Sequence, residues 1–254
     1  MKMDIQSVKD IVSEEEWALR KNLAAAYNAA ALLRMTDHIY THFSARVPGT
    51  EDEFLINPYG LMFDEITASS LVKINGDGEV LLDMTGLGIN HAGFIIHGAI
   101  HRHRQDAHCV MHTHTAAGIG VSAQEHGLLM ISQHAMRFHD GLAYHDYHGS
   151  VLDAFEQPLL LESLGDKHAM ILRNHGLLAC GRDVPDAFDT LYYLERACQA
   201  QIAAMAGGAK LIVPPEDVQR RTAAQFARPN RVSRFKHWPP ILRMVERANP
   251  ACFT

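Results

Sequence analysis

No stretch of this 254-residue sequence approaches the roughly 18 consecutive apolar residues needed to cross a bilayer, and its N-terminus has no charged leader ahead of an apolar region and a small-residue cleavage site. The expectation is a cytoplasmic protein with no membrane partner. Massed basic residues are also missing. The 23 Lys and Arg stand against 29 Asp and Glu, for a formal net charge of -6, and they are scattered along the chain. That excludes the electrostatic footprint of a nucleic-acid binder. The four cysteines, Cys109, Cys180, Cys198 and Cys252, form no CxxC pair, so we read them as reduced thiols in a chain large enough to be stable without staples. Cys109 and Cys180 fall in apolar runs, where packing is the expected role. There is no internal repeat and no low-complexity segment. What remains is 47% hydrophobic and 20% charged residues, the balance of a globular chain that buries a sizeable core.

The pattern alternates between helical and extended periods. Ser13 with Glu16 is a capping-box signature ahead of an alanine- and leucine-rich stretch ending near Arg34, which predicts a long first helix. Residues 40–47, 54–58 and 71–75 alternate as short strands, and Asn75 to Leu82 reads as a hairpin. A helix is expected over Asn90 to Arg104, a buried strand over Ala107 to His112, a helix over Thr115 to Glu125 and an extended run over Leu128 to Ser132. One strand or a strand pair follows in Lys167 to Ala179, then a long helix from Asp183 to Ala206 stopped by Gly207-Gly208. Helices flanking a mixed sheet result, with one domain over 1–208. After Pro214-Pro215 the composition shifts to arginine, proline and isolated aromatics, so 209–254 reads as an extended tail packing on the body or on a neighbouring subunit.

The residue type in excess is histidine, at 17. Imidazole is the commonest metal ligand and titrates near neutrality. In His112-Thr113-His114 two imidazoles fall on the same side of an extended chain, because strand side chains alternate with period two. A third, His175, ends the apolar run Met170 to Leu172 just before Gly176, which can turn sharply. Three neutral imidazoles on rigid strand ends make an open half-cage with positions left for water and substrate. An all-nitrogen set suits one divalent transition ion, zinc, iron or manganese, better than magnesium or calcium.

Six segments, two of them holding these ligands, form a wider pattern: Phe54 to Gly60, Thr67 to Ile74, Ala92 to His97, His112 to Thr115, Ala143 to Gly149 and Leu172 to Leu177. Taken together, from about residue 17 to residue 210, the sequence resembles the class II aldolase/adducin family, in detail its adducin-like bacterial branch. The resemblance implies an α/β, three-layer fold with a central mixed, mainly antiparallel sheet. It also implies a homotetramer with active sites at subunit interfaces, and it assigns His112, His114 and His175 to a catalytic metal. Two departures stand out. Sugar-phosphate enzymes of the family carry an acidic residue nineteen positions before the first metal histidine, where this chain has Gly93; and their glycine-rich phosphate turn after the first helix is here Thr41-His42-Phe43-Ser44. Bulky residues replace backbone donors there, so a non-phosphorylated substrate is expected.

Other site candidates follow from the same alignment of motifs. His91, two residues from the missing carboxylate, is either a proton-transfer group, a fourth nitrogen ligand or an exposed helix start. Asn57 and Gly60 match the second substrate loop. His134 is a candidate acid/base, and Arg137 a bidentate clamp for a carboxylate, both in a region that family enzymes deliver into a neighbour's site; interface packing is the alternative. Tyr147 is a candidate phenolic proton donor, with Tyr144 behind it. His97, His101, His103 and His108 read as support for the primary site or as a solvated face, with His97 on the side of support.

The leading functional expectation is a metal-dependent carbon–carbon lyase, of aldolase or decarboxylase type, acting on a small hydroxy- or oxo-acid. A second is a non-haem iron oxygenase of an aromatic or oxo-acid, because residues 135–138 and 192–200 are similar to aldolase-fold oxygenases of aminocoumarin-type pathways. A third is a non-catalytic, adducin-like interaction domain.

Overall fold

A computed structural model describes residues 5–149, 156–227 and 236–254. The first helix, α1, spans Glu14–Leu32, and Ser13 caps it by accepting the Glu16 amide at 3.0 Å. The reciprocal half of the expected capping box is absent. Glu16 turns inward instead, to the buried Arg20 at 2.8 Å and to Lys73 at 3.0 Å, and Arg20 donates to the Leu71 carbonyl at 2.8 Å. A buried guanidinium needs these partners to offset its desolvation, and they tie α1 to the chain ahead of the third strand.

Eight strands form one sheet: β1 Phe43–Arg46, β2 Glu53–Ile56, β3 Val72–Asn75, β4 Val80–Leu82, β5 Cys109–Thr113, β6 Leu142–His145, β7 Ala169–Leu172 and β8 Gly176–Gly181. Their order is β4-β3-β2-β1-β5-β8-β7-β6, antiparallel throughout except for the parallel β6/β7 pair. The expected mixed, mainly antiparallel α/β sheet is what forms. Around it lie α2 His91–His103, α3 Ala116–Ser122, α4 Gln133–Met136, α5 Glu156–Leu164, α6 Val184–Met205, α7 Glu216–Phe226 and α8 Trp238–Ala248.

Period-two alternation sorts the sheet into two cores. Phe43, Ala45, Cys109, Met111, Ile171, Leu177 and Ala179 face α1 and α6, while Val110, Met170, Leu172, Leu178 and Cys180 face α2 and α5. The central strands are covered on both faces, hence their near-continuous apolar sequences. All four cysteines are buried and free, and burial pushes the Cys180 and Cys252 thiols up to about 12, which leaves them unreactive.

Two expectations are refined. Residues 128–132 join no strand: the Leu128 amide goes to the Tyr144 hydroxyl at 3.0 Å and the Leu129 amide to Gln201 at 2.6 Å, so side chains replace a ladder. The stretch from 209 is not simply an extended tail, since it contains α7 and α8; its residues 228–235 lie outside those described. Helix α8 packs on α1, with Trp238 donating its indole N–H to Asn22 at 2.7 Å and stacking edge-on against Phe188. The chain end then adds backbone bonds from Ala68 to the Cys252 carbonyl and from Ser69 to the Thr254 carbonyl, both at 2.9 Å. No helix among the described residues is long and apolar enough to cross a membrane.

Candidate metal centre

His112 sits in β5 between β1 and β8. Its amide donates to the His42 carbonyl at 3.0 Å, and its ring Nδ1 lies 2.8 Å from the Leu177 carbonyl oxygen. A carbonyl only accepts, so Nδ1 carries the proton and Nε2 keeps its lone pair. His114 follows the strand end, with Nδ1 3.0 Å from Asp37 Oδ2, which fixes the same tautomer. His175 stands in the turn between β7 and β8, after Asn174 at φ 54° and before Gly176. A Cβ at position 176 would lie 2.3 Å from the Thr113 carbonyl and 3.2 Å from the His114 ring, so glycine is what lets this turn close on the end of β5.

The three rings converge. One ligand atom from each of His112, His114 and His175 lies within 4.8 Å of the others, and the Nε2 atoms of His112 and His114 are 2.8 Å apart. Two ring nitrogens that both present lone pairs repel at that distance unless a cation lies between them. Metal–nitrogen bonds of about 2.0–2.1 Å at a right angle span about 3 Å, so the residues fit a metal. Burial, reinforced by the neighbouring imidazoles, holds His112 well below the ordinary histidine range and lowers His175 to about 4. Both rings are therefore neutral at pH 7, the form that ligates.

The triad opens on a cavity of about 410 Å³ whose wall includes Asp37, His42, Gly93, His97 and Tyr147. His42 is only 6% exposed and burial lowers its pKa to about 4. Its ring fills the space beside α2 at Gly93: a Cβ there would meet His42 Nε2 at 1.6 Å. The two departures in the sequence, at 41–44 and at 93, are thus one steric exchange. No side chain at 93 can coexist with this His42 rotamer.

Of the remaining candidates, Tyr147 joins the site, half-exposed, its ring 6.3 Å from that of His175. His91 is exposed and faces the hairpin between β3 and β4, its Nδ1 3.7 Å from where a Cβ on Gly78 would stand. Asn57 is buried, its Oδ1 2.8 Å from the Tyr27 hydroxyl, and Gly60 occupies an exposed turn at φ 125°. Neither lines the cavity. His134 lies against Tyr193 with ring centroids 5.0 Å apart, while Arg137 pairs with Asp189 and stacks 4.9 Å over Tyr193, on the wall of a separate cavity of about 610 Å³. One chain therefore does not bring His134 or Arg137 to the triad. Sequence reasoning passed over Asp37 and left His42 unassigned. The signal for His42 was the coincidence of a bulky residue in one segment with a missing side chain in another.

The family profile described as "Class II Aldolase and Adducin N-terminal domain" matches residues 21–202. Among solved structures, an aldolase II superfamily protein from Pseudomonas syringae is 52% identical and superposes with a TM-score of 0.93, covering 98% of this chain and all of that one. L-fuculose 1-phosphate aldolase from Glaciozyma antarctica PI12 is 25% identical with a TM-score of 0.84, over all of this chain and 96% of that one. Mouse alpha-adducin is 45% identical over 193 residues, which is 75% of this chain and 26% of the adducin.

Proposed function

The chain belongs to the class II aldolase and adducin family, and from that premise we propose that it is a metal-dependent carbon–carbon lyase, of aldolase or decarboxylase type, acting on a small non-phosphorylated hydroxy- or oxo-acid. The observation that supports it best is the convergence of His112, His114 and His175, two of them with tautomers fixed by outer partners, on an open cavity. A resident zinc, iron or manganese ion supplies Lewis acidity when bound, polarising a substrate oxygen.

The chain's own residues do the rest. His112 and His114 present Nε2 because the Leu177 carbonyl and Asp37 hold their other nitrogens, and Asp37 adds negative charge behind the ligand set. Tyr147, half-exposed in the cavity wall, is the proton donor in this reading. The wall at Thr41–His42 offers a ring where a phosphoryl group would need converging backbone donors, which favours a carboxylate-sized ligand. The assembly we propose is a homotetramer with sites at subunit interfaces. Any role for His134 and Arg137 at a metal then belongs to a neighbour's cavity.

The test is metal analysis of protein purified without added metal, followed by an anaerobic and an aerobic screen of small hydroxy- and oxo-acids, the anaerobic arm with zinc or manganese restored and the aerobic arm with oxygen uptake recorded. Turnover without oxygen, lost together with bound metal in His112→Ala, is the expected result. Undiminished metal in that variant sinks the site, and turnover tied to oxygen uptake moves the reading to an iron oxygenase. A second reading, a non-catalytic interaction domain, is favoured by the adducin match and predicts a fully folded, functional surface without metal.

A further inference from the structure

Behind the cavity wall lies a chain of buried polar groups that metal binding does not use. His101 Nδ1 is 3.0 Å from the Ala107 carbonyl, and its Nε2 is 2.7 Å from Ser44 Oγ; Ser44 Oγ is in turn 2.7 Å from His97 Nδ1. Ser44 and His101 are fully buried and His97 is 1% exposed. Burial lowers His101 to about 3 and holds His97 well below its usual range, so both rings are neutral.

Proton counting then leaves one arrangement. The Ala107 carbonyl can only accept, so His101 carries its proton on Nδ1 and accepts at Nε2. The single Ser44 proton therefore goes to His101, and Ser44 Oγ accepts from His97 Nδ1–H. His97 is left with a bare Nε2. That atom is buried and has no hydrogen-bond partner, yet His97 belongs to the cavity wall beside His42 and Gly93. An unmet buried acceptor of this kind costs free energy unless a ligand or water satisfies it.

We propose that His97 Nε2 is the cavity's hydroxyl acceptor, held in that tautomer by the Ser44–His101 chain, so that the site prefers a 2-hydroxy acid to an acid lacking a hydroxyl. The inference rests on the metal-site reading above and narrows its substrate class. It involves no covalent step: the ligand hydroxyl donates and His97 accepts. Ser44 and His101 act only as positioning residues.

The experiment uses the full chain loaded with zinc and two probes, glycolate, which has the hydroxyl, and oxalate, which has none, with affinities measured by calorimetry. His97→Asn keeps a donor toward Ser44 but removes the acceptor at Nε2, whereas His97→Gln restores a carbonyl oxygen near that place. The His97→Asn variant is expected to bind glycolate about five-fold more weakly, the worth of one ordinary hydrogen bond, with oxalate changed less than two-fold and zinc content unchanged. The His97→Gln variant is expected to recover most of the glycolate affinity. Nitrogen-15 spectra of the wild-type protein should show His97 protonated on Nδ1, and Ser44→Ala should abolish that single tautomer. Equal loss of both probes in the His97→Asn variant, or a proton on Nε2 of His97 in the wild type, overturns the proposal. If the wild-type zinc protein binds neither glycolate nor oxalate, the metal-site reading itself has failed and this inference goes with it.

Discussion

Replacing Gly93 with alanine tests the steric exchange at the cavity wall. The new Cβ would stand 1.6 Å from His42 Nε2, 1.9 Å from Cδ2 and 2.6 Å from Cε1, so the imidazole must leave its place. Its freedom to do so is small: His42 is 6% exposed, its ring centroid lies 5.9 Å from that of His97, and its carbonyl is held by the His112 amide. Overpacking of this kind costs about 1–3 kcal/mol. The substitution also removes a glycine from the first turn of α2, which returns up to about 1 kcal/mol. The net expectation is a loss of roughly 1–2 kcal/mol, or several degrees in Tm for a chain of this size. In a His42→Ala background the clash is gone and only the helix term survives, so the same Gly93→Ala change should stabilise. A double-mutant cycle by thermal and urea unfolding reads the coupling, expected at about 2 kcal/mol. Stabilisation of similar size in both backgrounds would refute the packing of His42 on Gly93.

Three further outcomes follow from the same geometry. Asp37→Asn should weaken zinc binding about ten-fold, since it loosens the His114 tautomer without touching a ligand; competition with a chelator measures it, and unchanged affinity would show that Asp37 does not orient the ring. In the metal-free protein, burial lowers His42 and His175 to about 4 and His101 to about 3, below the unfolded value of about 6.5. The unfolded chain therefore binds more protons between those limits, so stability is complete above about pH 6.5 and falls as pH drops toward 4, by on the order of 2–3 kcal/mol for each such ring. Urea midpoints at pH 7.5, 6 and 5 should decline in step, and a flat profile would contradict the burial assigned to these rings. Trp238→Ala should cost about 3–5 kcal/mol by removing the ring that fastens α8 to α1 and α6; a change under 1 kcal/mol would mean that α8 is not integral to the fold.

The convergence of His112, His114 and His175 was legible because its spacing is local chemistry: a His-x-His at a strand end and a histidine before a glycine. The sheet was legible for the same reason, since β5, β7 and β8 are short apolar runs between turn residues. The losses have physical causes. Leu128 to Ser132 has strand-like composition but its amides are claimed by Tyr144 and Gln201, partners that local pattern does not reveal. Helix α8 was hidden by Pro239-Pro240, although proline suits a first turn and Trp238, Ile241, Leu242 and Val245 repeat at helical spacing. His42 and Gly93 are far apart in the chain, and only the packing of α2 against the turn before β1 makes them one feature.

His112 joins two strands and the lead-in to a third: it lies in β5, its amide is held by the His42 carbonyl just before β1, and its ring by the Leu177 carbonyl of β8. An ion bound there is consequently a rivet through the middle of the sheet. At a free concentration a thousand times its dissociation constant it would add about 4 kcal/mol to the folded state. The slowest-exchanging amides of the molecule should then be those of β1, β5 and β8, and their opening should report occupancy of the site without any substrate present.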